Sequence, residues 1–105
     1  MMRVTVWRQV GNAPPDAPPG ALITAFNDAV AVLRKVPGTG DVHWGFGNGG
    51  IVTVAFLNNY AAADAVLKDP AAQAAVAKVF ALGVTIAEDS FVLEPQQVTA
   101  FIPQQ

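Results

Sequence analysis

The sequence predicts a small α+β sandwich, in which helices pack against one face of a single sheet. Three patterns predict it. Residues 40–60 contain two strand-like runs on either side of a glycine-rich turn. The segments before and after this hairpin have apolar side chains at helical spacing. Alternating runs near both ends of the chain indicate two more strands, and 105 residues are enough for one domain with a single core.

A proline-rich connector separates the first strand from the first helix. β-Branched and aromatic residues alternate over residues 3–10, which predicts the strand. Four prolines within residues 11–20 predict an extended connector, because proline interrupts helical hydrogen bonding. A helix is then predicted over residues 19–36. Its apolar stripe consists of Leu22, Ile23, Phe26, Ala29, Val30 and Leu33.

The rest of the chain contains the central hairpin, a helix in two pieces and a last strand. Pro70 lies inside a helical pattern and is expected to split the helix, because it removes one backbone hydrogen bond. Asp69 is then the predicted N-cap of the second piece, and Asn58 or Asn59 that of the first. The predicted ranges are strands 41–47 and 51–57, helices 60–68 and 70–82, and a strand 85–93.

The order β-α-β-β-α-β predicts a ferredoxin-like fold, with four antiparallel strands and helices on one face. Odd-numbered residues of strand 51–57 are predicted on one face and even-numbered residues on the other, and both sets are largely apolar. Helices cover one face, so a second copy of the chain is expected to cover the other, which gives a homodimeric α/β barrel. Residues 1–95 are predicted to form this domain, and the C-terminal extension 96–105 to lie at the dimer interface.

The composition indicates which partners the protein is expected to have and where it is expected to be located. An apolar fraction of 52% with 13% charged residues is high for a lone domain and favours a homodimer. A net charge of −2 without charge blocks argues against nucleic acid, and no apolar run has the length of a membrane span. The chain has no cysteine, and its first residues do not resemble a signal peptide, so we expect a cytoplasmic protein. Its many alanines favour a bacterial source.

Short motifs along most of the chain form a specific pattern. They are Pro37, the strand segment Asp41-Val42-His43-Trp44-Gly45, the strand segment 51–56, and the helix-opening pair Asp69-Pro70. This pattern resembles the stress-responsive dimeric α/β-barrel proteins. Their wider superfamily includes antibiotic-biosynthesis monooxygenases, haem-degrading monooxygenases and the plant polyketide cyclase that makes olivetolic acid. The resemblance implies a ligand pocket between each subunit's helices and its own sheet.

The chain departs from this pattern at the positions that would carry the cyclase chemistry. The resembled cyclase has a catalytic histidine where this chain has Ala72, and a partner tyrosine where it has Val66. Neither side chain can move a proton, so that mechanism is not carried over. The haem-degrading branch needs a histidine on the second helix, and this chain has none there. We therefore expect no cofactor.

Three residues are the candidates for catalysis, namely His43, Gln73 and Tyr60. His43 is the only histidine, and imidazole exchanges protons near neutral pH. It has no acidic neighbour in sequence, which favours the alternative of a barrel-side or rim residue hydrogen-bonded across a dimer. Gln73 lies beside the inward stripe of the second helix, where its amide needs a partner, a ligand or a path to water. Tyr60 begins that helix, where it either gates the pocket or packs on the sheet.

A ligand cavity is expected beneath the second helix. Ten alanines lie in its two pieces, and alanine contributes little buried area, so the helix either packs very close to the sheet or leaves a void. The resemblance favours strand residues 3, 5, 7, 52 and 54 on the pocket side. The candidate ligand-binding residues are Arg3, Thr5, Trp7, Phe26, Val52, Val54, Val76 and Phe80. Arg3 is a candidate anchor for an anionic group, although a solvated strand-end arginine is the more common case.

Other reaction classes find no support in the residues. The glycine-rich turn joins two strands and is not a dinucleotide fingerprint, no cluster has metal-ligand spacing, and Ser90 has no base near it in sequence. The leading hypothesis is a homodimeric, cofactor-independent enzyme, monooxygenase- or cyclase-like, on an aromatic or polyketide-like substrate. The alternative is a dimer that binds a hydrophobic ligand, or is associated with stress, without catalysis.

Overall fold

A four-stranded antiparallel sheet with helices on one face forms the centre of the protein. The computed structural model describes residues 1–9, 19–47 and 50–93. The strands are paired in the order β2-β3-β1-β4, which confirms the predicted ferredoxin-like fold. The elements are β1 (Met2–Gln9), α1 (Pro19–Leu33), β2 (Thr39–Gly47), β3 (Gly50–Leu57), α2 (Tyr60–Lys68), α3 (Pro70–Ala81) and β4 (Val84–Val92).

The predicted boundaries differ from the observed ones mainly at the end of α1. The helix ends at Leu33, three residues before the predicted end at Val36. The next turn tightens, because Lys35 and Val36 donate their backbone N–H groups to carbonyls three residues earlier, at 3.1 Å each. The predicted connector and C-terminal extension lie outside the described residues. None of the described helices is long and apolar enough to cross a membrane.

Capping side chains divide the second helix as the sequence predicts. Asn59 Oδ1 accepts a hydrogen bond from the Ala62 N–H at 3.0 Å, which selects Asn59 as the cap of α2. Asp69 Oδ2 accepts one from the Ala72 N–H at 2.8 Å and caps α3. Pro70 then occupies the first position of α3, where a missing N–H costs no intrahelical bond.

The register of β1 against β3 separates the two faces of the sheet. Arg3 pairs with Ala55, Thr5 with Thr53 and Trp7 with Ile51, and paired residues of antiparallel strands lie on the same face. Trp7 and Ile51 belong to the buried core, so this is the face that the helices cover. The even-numbered residues of β3 lie on the opposite face, as predicted.

The main core joins α1, α3 and the sheet around Phe26. Its ring is 1% exposed, contacts the edge of Trp7 at 5.5 Å and stacks on Trp44 at 5.3 Å between centroids. Val79 from α3 is buried to the same extent. Ile23 is 40% exposed, so its predicted place in the buried stripe of α1 is wrong; residues 22, 26, 29 and 30 form the buried part.

We predict that Gly38→Ala destabilises the protein more than Gly83→Ala does. Both glycines have positive φ, of 86° and 85°, which strains any other residue by about 1 kcal/mol or more. A Cβ at Gly38 would also lie 2.7 Å from Ala62 Cβ, whereas one at Gly83 would meet nothing within 4 Å. Urea unfolding at one protein concentration should show losses of about 3 and about 1 kcal/mol. Equal losses would contradict the proposed close contact between Gly38 and α2.

Candidate functional site

A cavity of about 310 Å³ lies between the sheet and the helices α2 and α3. This volume falls within the range of pockets that hold small organic ligands. Its wall takes residues from all four strands and all three helices. The wall residues are Arg3, Thr5, Trp7, Leu33, Thr39, Val42, Thr53, Ala55, Leu57, Val66, Leu67, Ala72, Gln73, Val76, Ala77, Phe80 and Ile86.

The cavity lies where the hydrophobic core is divided. One buried cluster surrounds Phe26 under α1 and α3, and a second, smaller one joins Leu57 to the alanines at the start of α2. Trp7 from the first cluster and Leu57 from the second both line the cavity. Ala72 and Ala77 contribute single methyl groups to its wall, so the helices do not fill the space above the sheet. The alanine-rich helices were expected either to pack very close to the sheet or to leave a void, and the structure shows the void.

The strongest polar contact at the cavity is the ion pair between Arg3 and Asp89. Arg3 Nη2 donates to Asp89 Oδ2 at 2.6 Å, and Arg3 Nε donates to Oδ1 at 3.0 Å, so the contact is bidentate. Thr5 donates its hydroxyl to Oδ1 at 2.9 Å. The hydrogen bond from Arg3 lowers the pKa of Asp89 below its ordinary value of 3.8, against the opposing effect of burial, and Thr5 adds to the lowering.

Most other polar groups of the wall have partners within the protein. Trp7 Nε1 donates to Thr53 Oγ1 at 3.0 Å, and Gln73 Nε2 donates to the Leu67 carbonyl at 2.8 Å. Thr39 Oγ1 differs, because it is buried and has no hydrogen-bond partner among the described residues. A buried hydroxyl without a partner carries a desolvation cost, which a polar ligand atom within reach would remove.

Six of the eleven predicted site residues line this cavity. They are Arg3, Thr5, Trp7, Gln73, Val76 and Phe80. Phe26 does not line it but supports Trp7 from behind through the edge contact described above. Gln73 is therefore the one candidate catalytic residue that reaches the wall, and its amide nitrogen is already hydrogen-bonded to a backbone carbonyl.

The predicted positions of Val52 and Val54 beside Arg3, Thr5 and Trp7 are wrong. Val52 pairs with Val6, and Val54 with Val4, so both valines lie on the helix-free face of the sheet. Their odd-numbered neighbours face the cavity in their place, because successive side chains of a strand point to opposite faces. Thr53 and Ala55 are the residues of β3 that line the wall at this depth.

His43 and Tyr60 also lie away from the cavity wall. His43 pairs with Val54 across β2 and β3, which places it on the helix-free face, opposite to its neighbours Val42 and Trp44. Tyr60 is 59% exposed at the start of α2 and contacts the Phe91 ring, with 5.7 Å between centroids. The three candidate catalytic residues are therefore not brought together by the fold.

Two polar residues that hold aromatic or cationic side chains are absent from the predicted site: Asp89, which binds Arg3, and Asn27, which binds Trp44. Asp89 is not among the predicted site residues, yet it holds Arg3 at the cavity through the bidentate contact. Asn27, which was given no role, accepts a hydrogen bond from Trp44 Nε1 at 2.7 Å. The opposite charges of Arg3 and Asp89 on two predicted strands were the feature of the sequence from which this contact could have been predicted.

Comparisons with known proteins find similarity in structure but not in sequence. No protein-family profile matches the chain, and no curated protein does. SnoaB, a cofactor-independent oxygenase from Streptomyces nogalater, superposes with a TM-score of 0.75 and 17% identity over 93% of this chain and 95% of its own. A putative antibiotic biosynthesis monooxygenase from Deinococcus radiodurans gives 0.65 and 13% over 94% and 99%. A dimeric ferredoxin-like protein of unknown function from Jannaschia gives 0.64 and 16% over 88% and 100%.

These matches define the class of fold. The chain has the ferredoxin-like α/β fold shared by antibiotic-biosynthesis-monooxygenase-like proteins, as the sequence resemblance predicted. Several of these structural relatives are described as dimeric proteins of unknown function. Others are described as an oxygenase or as antibiotic biosynthesis monooxygenases. At such low identity, the similarity establishes the architecture, and the chemistry has to be argued from the residues of this chain.

We predict that Asp89→Asn reduces the loss of stability in acid. The folded-state pKa of Asp89 lies below its unfolded value of 3.8, so the carboxylate stabilises the fold above that pH. This contribution is lost as the pH falls through the folded-state pKa. Thermal unfolding from about pH 6 to about pH 2 should therefore show a smaller decrease for Asp89→Asn, which starts about 1 kcal/mol less stable.

Glu88→Gln is the matched control for this measurement. Glu88 and Arg8 form an exposed pair at 4.0 Å, which contributes little to stability. Its substitution should leave the unfolding temperature nearly unchanged at neutral pH. If Asp89→Asn followed the wild-type acid profile, the assigned contribution of the Arg3–Asp89 pair would be wrong.

Proposed function

We propose that the protein is a homodimer that binds a flat, mainly apolar ring compound in the cavity and oxygenates it without a cofactor. The observation that carries this proposal is the cavity of about 310 Å³, whose wall is apolar apart from a few polar groups. Such a surface favours a hydrophobic ligand and uses its few polar atoms to orient it. The similarity in fold to a cofactor-independent oxygenase supports the type of reaction.

Oxygenation without a cofactor requires that the substrate itself supplies the electrons. A CH2 group that loses a proton and passes electrons to O2 becomes a carbonyl, and the second oxygen atom leaves as water. Among the wall residues, Arg3 is the one ionisable side chain, and it is paired with Asp89. The protein would then contribute orientation and exclusion of water, and the substrate would need a C–H group that is acidic in itself.

A second candidate is binding without turnover. Ala72 and Val66, which occupy the positions of the resembled cyclase's histidine and tyrosine, both line the cavity and offer no proton. His43 and Tyr60 lie elsewhere, so the wall has few groups for acid–base chemistry. This observation favours a binding protein, and it argues against ring closure by proton transfer.

The helix-free face of the sheet supports the homodimer. On this face, the two central strands β1 and β3 present the cross-strand pairs Val4–Val54 and Val6–Val52. Phe56, on the same face of β3, is 41% exposed. The helices within residues 1–9, 19–47 and 50–93 lie on the other face, so this apolar surface needs a different cover. Structural relatives with this fold are described as dimeric. A second copy that packs sheet against sheet would bury the surface.

We predict that the protein accelerates the reaction of anthrone with O2 to anthraquinone and water. Anthrone is a flat ring ketone with an acidic CH2 group, so it meets the requirements of the proposed reaction. The measurement is dissolved oxygen consumption together with the rise of anthraquinone absorbance, compared with the rate without protein. Stabilisation of the fold by anthraquinone without any acceleration would support the second candidate instead.

Two variants make this test specific for the cavity. Ala72→Leu adds side-chain volume at the wall and should weaken ligand binding about tenfold, whereas Ala71→Leu at an exposed position of α3 should not. His43→Ala should leave the rate unchanged, because His43 lies on the opposite face of the sheet. A rate that depended on His43 and not on Ala72 would contradict the cavity as the reaction site.

We predict that Val54→Asp shifts the protein from dimer to monomer. Val54 lies on the helix-free face, where a dimer would bury the new carboxylate without a partner, at a cost of about 3 kcal/mol or more. Sedimentation velocity should then show a dissociation constant raised by about a hundredfold or more. Ala74→Asp, at an exposed position of α3, is the control that should remain dimeric. A dimer unaffected by Val54→Asp would place the interface elsewhere.

A further inference from the structure

The guanidinium of Arg3 is held in one orientation at the cavity wall. Its Nε and Nη2 atoms donate to Asp89, and its central carbon lies 5.7 Å from the centroid of the Phe91 ring. The side chain is 19% exposed. Nη1 makes no hydrogen bond to any described residue, so both of its N–H groups remain for a ligand.

The same contact removes the net charge that Arg3 would otherwise present. Asp89 is ionised at neutral pH, since the ordinary pKa of its carboxyl group is 3.8 and the hydrogen bond from Arg3 lowers it further. A ligand atom at Nη1 would therefore meet a neutral pair and not an isolated cation. For a ligand carboxylate, the attraction to Arg3 would be offset by repulsion from Asp89, and its lost hydration would not be compensated. A neutral carbonyl oxygen accepts the same hydrogen bond without that repulsion.

We propose that Arg3 Nη1 donates a hydrogen bond to the carbonyl oxygen of a neutral ring ketone, and that Asp89 disfavours ring carboxylates at the same place. The proposal rests on the proposed function of the cavity and specifies its ligand. It differs from both sequence-based alternatives for Arg3, which were an anchor for an anionic group and a solvated arginine at the strand end. Arg3 contacts the ligand. Asp89 is a positioning residue that holds the guanidinium and neutralises its charge.

The test compares three probes that share one ring system, namely naphthalene, 1-acetylnaphthalene and 1-naphthoate. The ketone and the carboxylate have nearly the same shape and differ mainly in charge. Isothermal titration calorimetry at neutral pH should show that the wild-type protein binds the ketone about tenfold more tightly than naphthalene. It should bind the carboxylate no more tightly than naphthalene.

Two variants separate the roles of the pair. Arg3→Met retains much of the aliphatic side chain and should abolish the preference for the ketone, while affinity for naphthalene changes less than about twofold. Asp89→Asn leaves the charge of Arg3 uncompensated and should strengthen binding of 1-naphthoate by about fivefold or more. Arg8→Met and Glu88→Gln are the matched controls, since this second pair of the same strands lies at 4.0 Å and does not line the cavity.

Each outcome decides a different point. If none of the three probes binds, the proposed function of the cavity fails and this inference fails with it. If all three bind equally, or the carboxylate binds best to the wild-type protein, the cavity stands and the role assigned to the Arg3–Asp89 pair is overturned. If Asp89→Asn does not fold, the ketone preference of the wild-type protein and its loss in Arg3→Met still decide the role of Arg3.

Discussion

The antiparallel register between β1 and β3 is the constraint on which the site depends. It places Thr5 opposite Thr53 and Trp7 opposite Ile51 on the face that the helices cover. A slip of one residue in β3 would move its whole inward set to the other face. The hydrogen bond from Trp7 Nε1 to Thr53 Oγ1 belongs to this register, because it joins residues of two successive pairs on the same face, Trp7–Ile51 and Thr5–Thr53. The pairing of β1 with β3 therefore determines both which residues line the cavity and which apolar residues lie on the opposite face.

The cavity reflects the small side chains that α3 presents to it. A helix with larger residues at these positions would close the gap between the two core clusters, as interiors normally close-pack. Ala72 and Ala77 leave it open, so the protein forgoes contacts that would stabilise the fold. The loss is limited because Phe26, Trp7 and Val79 form a dense core beside the cavity. Space for a ligand is therefore available without an exposed core.

Sequence reasoning located the elements and the cavity better than it located the residues around it. Proline and capping residues gave the division at Pro70, and alanine content indicated the void, since both are local signals. Val52 and Val54 were misplaced because both faces of β3 are largely apolar, so alternation did not select the covered face and the resemblance was followed. Asp89 was missed for a different reason: a bulge between Val6 and Trp7 shifts the pairing with β4. It puts Asp89 and Ile86 on the same face although they are three residues apart, which alternation alone does not predict.

The arrangement of charge at the cavity bears on any chemistry within it. Arg3 and Asp89 neutralise each other, and Thr5 completes the coordination of the carboxylate, so neither group is poised to exchange a proton with a ligand. A carboxylate with a lowered pKa is a weak base, and its best hydrogen-bonding positions are already occupied. Under the proposed function, a reaction in this cavity would therefore draw its reactivity from the ligand, and the protein would contribute the orientation of a carbonyl group. This division of roles suits oxygenation of an electron-rich ring better than it suits acid–base catalysis.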